Sequence, residues 1–371
     1  MNIAIAMGPR VRKTPFHEST MSHGVKSFSI YNHMLMPTSY GDPVGEYEAL
    51  TQRVSIWDVA CERQVEIVGP DASDLVEYLS TRGMRSCKPG RARYTPICDH
   101  EGVLINDPIT LSFGENRFWM SIADGDLLLW VQAVVAERKL NCRIFEPDVS
   151  PLAIQGPKAD DTMSDLLGDW IRDIPFFGFS ETNLEGIPFV ICRSGWSGQG
   201  GFELFLTDES KGNQLWQRIW EAGTSYGIHP GAPNPSERIE SDLLSYRADC
   251  AGSATPLELG LSRFMNLERE EDFVGKESLL KEKSHGPSRR LVKVSLSGEP
   301  LLSPNQEPWP ALDPSGNSIG DVRVAIWSPA LGENVALALI NTEASGNGFS
   351  VIDFEKSNRT ATHLSFFGDK S

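Results

Sequence analysis

At 371 residues, with 40% hydrophobic and 23% charged side chains, the chain has a globular composition and the length of two or three domains, which sets disordered and fibrous classes aside. A net charge of −16 argues against nucleic acid or an anionic membrane as a general partner, and an anionic ligand would need a locally basic entrance. No run approaches the ~18 apolar residues of a membrane span, and residues 1–13 lack the apolar core of a secretion signal, so a cytoplasmic location is expected.

Residues 1–20 show no clean period and read as an extended arm, with Arg10, Arg12 and Lys13 placed to guide an anion. A short apolar segment with Tyr31 follows. Residues 46–69 read as a helical stretch and then an alternating strand at 63–68. Residues 70–79 predict an amphipathic helix with Leu75, Val76 and Leu79 on one face and Gly83 beyond its end. Strands at 91–98, 103–111 and 116–122, separated by turns, predict an antiparallel meander, and a helix at 124–139 closes the unit. Leu152-Ala-Ile-Gln-Gly-Pro157 is a strand running into a helix that ends near Gly168, and it resembles residues 65–79, so the two halves read as repeats. Strand-like runs at 187–192 and 202–206 flank the most glycine-rich stretch, Arg193-Ser-Gly-Trp-Ser-Gly-Gln-Gly-Gly-Phe-Glu203. Helices at 212–223 and 236–246 follow, the second capped by Ser236 with Arg238 and Asp242 four apart. After a charged segment at 268–287, strands at 290–296, 318–327 and 334–340 predict a small β-barrel or sandwich.

The glycine loop lacks both the Lys-Ser/Thr of a phosphate-binding loop and the G-x-G-x-x-G spacing, so it is either a hairpin connection or a close backbone approach to a ligand other than phosphate. Two carboxylates sit among apolar neighbours: Glu203 after the loop and Asp107 in Asn106-Asp-Pro108. A buried aspartate must be paired, or its pKa rises; an Asx turn before Pro108 is the simpler alternative. The Gly102 turn is placed to bring Tyr94 beside Asp107. Tyr31, Trp57, Trp119 and Trp196 are candidates either for a cage around a cation or for core packing. The six cysteines and seven histidines show no metal-ligand spacing, which predicts reduced, mostly buried thiols and no metal site.

Taken together, these residues resemble the folate-dependent aminomethyltransferase (glycine cleavage T-protein) family over nearly the whole chain. Tyr94 with Asp107, Gly195 to Glu203, Arg238-Ile-Glu240, Thr255-Pro-Leu-Glu-Leu-Gly-Leu261 and Phe273-Val-Gly-Lys276 carry the likeness. Within the family it is greatest to the tetrahydrofolate-dependent dimethylsulfoniopropionate demethylases, through Val11-Arg-Lys-Thr-Pro-Phe16, Tyr31-Asn-His-Met-Leu-Met-Pro-Thr38 and Trp57-Asp-Val-Ala-Cys-Glu-Arg-Gln64. Trp196, Gln199 and Asn106 depart from the aminomethyltransferase pattern, which speaks against aminomethyl transfer from a lipoyl carrier.

The resemblance implies an α+β fold, a three-domain cloverleaf around a central folate channel with a C-terminal β-barrel or jelly-roll-like domain. The implied domains are residues 1–50 with 147–267, residues 51–146, and residues 268–371. It further implies tetrahydrofolate as cofactor and a small onium substrate. The net charge speaks against a nucleic-acid or membrane partner, and a homodimer is expected independently of the resemblance. Asp107 would be catalytic. Tyr94, Glu203, Arg238, Phe176 and Phe177 would bind folate, and Tyr31, Ser121 and Trp196 the substrate, with Lys26 and Arg63 further candidates for its carboxylate. The expected reaction moves a methyl from dimethylsulfoniopropionate to tetrahydrofolate. The alternatives are demethylation of another onium or N-methyl compound, aminomethyl transfer, or folate binding without catalysis.

Overall fold

The computed structural model describes residues 7–250, 252–346 and 348–366. The chain divides into two compact units, the first holding described residues within Met1–Ala72, Cys87–Arg93 and Thr110–Pro233, the second those within Ser73–Ser86, Tyr94–Ile109 and Asn234–Ser371.

The chain opens with helix α1 (His17–Ser22), the hairpin β1 (Ser27–Tyr31) and β2 (Met34–Ser39), and helix α2 (Pro43–Gln52), whose N-cap Asp42 accepts from Gly45 N. The expected arm therefore contains a helix, because Phe16 is fully buried in the first core and fixes the chain just before α1. The first six residues of that arm lie outside the described ones. Strand β3 (Val54–Asp58) was not anticipated within 46–69; all five of its residues are buried, so it lacks the alternation that marks a half-exposed strand.

Next come β4 (Gln64–Val68), helix α3 (Ala72–Leu79), β5 (Arg91–Tyr94), β6 (Ile97–Cys98), β7 (Leu104–Asn106), β8 (Ile109–Gly114), β9 (Arg117–Ser121), helix α4 (Leu127–Arg138) and β10 (Arg143–Phe145). The meander is interrupted. The runs expected at 91–98 and 103–111 each break in the middle, after Tyr94 and after Asn106, so that β6 and β7 form a separate two-stranded sheet. Pro96 and Pro108 supply the breaks, since neither carries an N–H for the ladder.

The chain continues through β11 (Ser150–Gln155), α5 (Ala159–Leu167), β12 (Phe179–Leu184), β13 (Ile187–Cys192), β14 (Gly201–Leu206), α6 (Gly212–Gly223) and β15 (Ile228–Gly231). The sheet orders, β10-β4-β9-β8-β5 and β12-β13-β14-β11-β3-β15, reveal the repeat. Reading outward from β4 and from β11, the orders β4-β9-β8-β5 and β11-β14-β13-β12 correspond. Each leading strand ends in a Gly-Pro that enters a helix. Gly69 (φ 150°) and Gly156 (φ 120°) occupy backbone conformations open to glycine, and a Cβ on either would strike a carbonyl oxygen, at 2.2 Å from Asn141 O and 2.7 Å from Arg53 O. The repeats differ beyond the leading strand: β10 lies beside β4, whereas β3 separates β11 from the parallel strand β15.

Helix α7 (Pro235–Glu240) is shorter than the expected 236–246, and its cap is Asn234, whose Oδ1 accepts from Ser236 N and Glu237 N at 3.0 Å each. Asp242 (φ 58°) then leaves the helix, and a separate α8 (Tyr246–Cys250) forms. The charged segment holds α9 (Lys276–His285). The chain ends in a closed barrel of β16 (Arg289–Leu296), β17 (Trp309–Leu312), β18 (Ser318–Ser328), β19 (Glu333–Asn341), β20 (Phe349–Ile352) and β21 (Asn358–Leu364), in the order β16-β19-β18-β17-β20-β21. Closure leaves no sheet edge exposed, and Val294, Val322, Ala338 and Val351 are among its core residues. The α+β class with antiparallel sheets and a C-terminal barrel is thus as expected. Among the described residues no helix is long and apolar enough to cross a membrane, and all six cysteines are free, five of them buried.

Candidate functional site

The second unit carries Tyr94 and Asp107 at the two chain breaks of the interrupted hairpin. Thr95 N and Oγ1 both donate to Pro108 O, at 2.9 and 3.0 Å, and hold the breaks opposite each other. Tyr94 Oη donates to Asp107 Oδ2 at 2.9 Å. The Tyr94 ring meets Phe264 edge-on, with centroids 4.8 Å apart. Burial pushes the Asp107 carboxyl up to about 7; the Tyr94 hydrogen bond opposes this and the nearby Asp249 charge adds to it. Burial, together with the Asp107 charge, pushes the Tyr94 phenol up as well.

Arg238 does not pair with Asp242. Its guanidinium grips Asp249 in two parallel bonds, Nη1 to Oδ2 at 2.8 Å and Nη2 to Oδ1 at 3.1 Å, and Nη1 also reaches Leu243 O at 3.1 Å. Asp242 instead pairs with Lys293 at 2.5 Å. The left-handed turn at Asp242 swings its carboxylate off the face of Arg238, whereas α8 brings Asp249 back to it. Asp249 also accepts from Ser245 N at 2.7 Å. Sequence reasoning missed Asp249, which has no local signal and gains its place only through the fold.

In the first unit the glycine loop joins β13 to β14. Glu203 lies on β14, 7% exposed, opposite Cys192 on β13 and Ala153 on β11. Ser194 Oγ donates to Glu203 Oε2. Burial raises the Glu203 carboxyl and the Ser194 bond pulls it back. Behind the loop, the fully buried Gln155 donates from Nε2 to Ser194 O at 3.0 Å and to Phe202 O at 3.3 Å, while its Oε1 accepts from Ser197 Oγ at 2.6 Å. Gln155 and Ser194 were also missed. The available signal was a lone amide in the apolar run Leu152-Ala-Ile-Gln, immediately before Gly-Pro.

The aromatic candidates separate. Trp57, 1% exposed, packs with Leu50, Val59 and Ala153 and donates to Ser55 Oγ at 2.7 Å. Trp119, equally buried, packs on Phe113 with centroids 4.6 Å apart. Both are core residues rather than cage walls. Trp196 and Tyr31 are half-buried. The turn after Tyr31 is fixed by buried Asn32, whose backbone N–H donates to Asp124 Oδ1 at 2.9 Å and whose amide donates to Cys61 O at 3.0 Å. Ser121 is buried at the end of β9, where its Oγ accepts from Gln64 Nε2 at 2.9 Å. Arg63 is taken up by Glu146 at 2.6 Å. Phe177 takes a left-handed backbone (φ 57°) and stacks on Phe176, with centroids 4.2 Å apart and the outer ring 66% exposed.

The family profile described as the GCVT N-terminal domain matches residues 16–269. Dimethylsulfoniopropionate demethylase DmdA from Ruegeria pomeroyi is 41% identical over 92% of this chain and 93% of its own length. The aminomethyltransferase from Bacillus subtilis is 28% identical over 93% and 95%. The crystal structure of the glycine cleavage system aminomethyltransferase T from Bartonella henselae shares the fold, with a TM-score of 0.84 at 22% identity over 96% of this chain and 98% of that one. The chain therefore belongs to the glycine cleavage T-protein family and is a tetrahydrofolate-dependent one-carbon transferase.

Proposed function

We propose that the protein is a cytoplasmic demethylase that moves a methyl group from dimethylsulfoniopropionate to N5 of tetrahydrofolate, giving methylmercaptopropionate and 5-methyl-tetrahydrofolate. The observation that carries this reading is the 41% identity to the Ruegeria pomeroyi demethylase over almost the full length of both chains, against 28% for the Bacillus subtilis aminomethyltransferase.

The residues fit a reduced pterin by the chemistry of their side chains. A pterin presents a row of N–H donors, and Glu203 and Asp107 are carboxylates able to accept them. In this reading Glu203 and Tyr94 hold the pterin, and Arg238 serves the folate from its hold on Asp249. Phe176 and Phe177 offer a stacked aromatic face to the aminobenzoyl ring. When bound, tetrahydrofolate supplies the N5 lone pair that takes the methyl.

A sulfonium methyl is already activated, because its leaving group is a neutral thioether and needs no acid. The enzyme's part is alignment and charge management. Asp107, in its ionised form, stabilises the positive charge that develops on nitrogen, and its carboxylate takes the proton released there. Tyr94 aims that carboxylate and favours its ionised form. Trp196 and Tyr31 face the sulfonium, an attraction worth about 0.5–2 kcal/mol. The Ser121 hydroxyl meets the propionate.

The test supplies purified protein with dimethylsulfoniopropionate and tetrahydrofolate and follows products by mass spectrometry. Appearance of 5-methyl-tetrahydrofolate and methylmercaptopropionate is expected. Methyl transfer only from glycine betaine or another onium would overturn the substrate assignment, and dependence on a lipoylated carrier would favour aminomethyl transfer. Tight folate binding without turnover of any donor would make the protein a binding factor.

A further inference from the structure

Gln155 ends β11 with its side chain entirely inside the first unit, directly behind the glycine loop. Its amide nitrogen reaches both ends of that loop, Ser194 O at 3.0 Å before the glycines and Phe202 O at 3.3 Å after them. Its amide oxygen accepts from Ser197 Oγ at 2.6 Å, on the loop itself. Two of the loop glycines leave space for this amide. A Cβ on Gly195 would lie 2.1 Å from both Gln155 Oε1 and Nε2, and one on Gly201 would lie 3.0 Å from Nε2. Gly156, the next residue, adds a backbone bond from its N to Gly200 O at 2.9 Å.

The segment pinned at Ser194 is the one whose hydroxyl donates to Glu203, while Phe202 adjoins Glu203 on β14. One planar amide therefore sets the spacing between a carboxylate and its hydrogen-bond donor, although it is too deeply buried to reach a ligand.

We infer that Gln155 is a positioning residue for Glu203. It locks the glycine loop so that Ser194 stays on Oε2 and the carboxylate is held in one orientation. The inference rests on the reading that Glu203 accepts from the pterin. Glutamine meets the requirement because it places donors and an acceptor on one uncharged plane. Glutamate would bring a buried charge against two carbonyls, and methionine would fill the volume and bond to nothing.

The test compares wild type with Gln155→Met, Ser194→Ala, the double variant and Ser197→Ala in three measurements: hydrogen exchange of residues 195–200, tetrahydrofolate affinity by tryptophan fluorescence, and steady-state methyl transfer. Gln155→Met is expected to speed loop exchange and raise the tetrahydrofolate Kd and KM about tenfold or more, with kcat within about threefold, as for loss of a residue that orients a ligand-binding group. Ser194→Ala should weaken binding similarly, and the double variant should resemble either single one rather than their product, since both act through Glu203. Ser197→Ala, which removes one bond to the amide, should give a smaller change of the same kind and carries the test if Gln155→Met does not fold. Unchanged loop exchange, multiplicative effects of the Gln155 and Ser194 changes, or a fall in kcat at constant KM would each overturn the inference. Should wild type bind no tetrahydrofolate, the folate reading fails, and loop exchange alone then decides whether the lock exists.

Discussion

At the scale of single residues, the Tyr94–Asp107 pair is one of the groups through which the protein responds to pH, alongside Asp58, whose buried carboxyl is also pushed up to about 7. Asp107 sits at about 7, so it is mostly protonated at pH 6 and mostly ionised at pH 8. If the ionised form acts, kcat/KM for methyl transfer rises with pH through about 7. Asp107→Asn should retain tetrahydrofolate binding but lose at least about a hundredfold in kcat, the usual scale for a positioned acid–base group, and show a flat profile. Tyr94→Phe removes the bond that opposes the burial shift, so its half-point should move to higher pH. The same carboxyl is linked to folding. Because folding raises it from an ordinary value of 3.8, the stability it contributes is complete below that value and is lost as pH rises through about 7. Asp107→Asn should therefore raise the melting temperature more at pH 8 than at pH 5. A change in melting temperature relative to wild type that is the same at both pH values would remove Asp107 from the folding linkage, and full activity would remove it from the reaction.

At the scale of elements, two substitutions separate backbone from side-chain effects. Gly201 has a φ of 135°, and a Cβ there would lie 2.1 Å from Ile154 O across the β11–β14 ladder. No side-chain rearrangement relieves a clash with backbone, so Gly201→Ala should cost more than about 2 kcal/mol in urea unfolding. Asn234→Ala removes the cap of α7, with an expected cost of about 1 kcal/mol, and disturbs the helix that carries Arg238. The legibility of these elements followed their periodicity. Helix α3 was visible because its apolar positions share one face, and the barrel strands β16, β18 and β19 because they are long apolar runs of eight, eleven and nine residues bounded by turn residues. The short β17, β20 and β21 were not anticipated although their burial alternates. Strand β3 was hidden because it is buried on both faces, and the arm hid α1 because a six-residue helix held by Phe16 has little pattern of its own. The site was legible where its residues are neighbours along the chain, as at Asn106-Asp-Pro108 and in the glycine loop. It was not legible where a partner arrives through the fold, as Asp249 does at Arg238 and Gln155 does behind Gly195. Arg238 and Asp242 show the converse. Spacing of four made them an expected pair, and one left-handed residue gave each a different partner.

At the scale of the whole molecule the dominant fact is a net charge of −16. Mutual repulsion of that charge opposes the compact state, while ion pairs such as Arg193–Asp160 and Arg218–Glu185 favour it. Exposed pairs contribute about 0–1 kcal/mol each and are weakened by salt, whereas the net repulsion extends over the molecule and is also screened as the Debye length falls from about 30 Å at 0.01 M to about 8 Å at 0.15 M. Repulsion should win, because unlike charges can pair off locally and the excess of acid cannot. Raising salt across that range at pH 7.5 should lift the melting temperature by a few degrees, corresponding to about 1–2 kcal/mol for a chain of this size. Near pH 5, close to the isoelectric point of about 4.9, the excess negative charge is neutralised and only the pairs remain to be screened. The same salt change there should leave the melting temperature level or lower it. A fall at pH 7.5 would mean that the ion pairs outweigh the net charge, and an equal rise at both values would trace the salt effect to something other than charge repulsion.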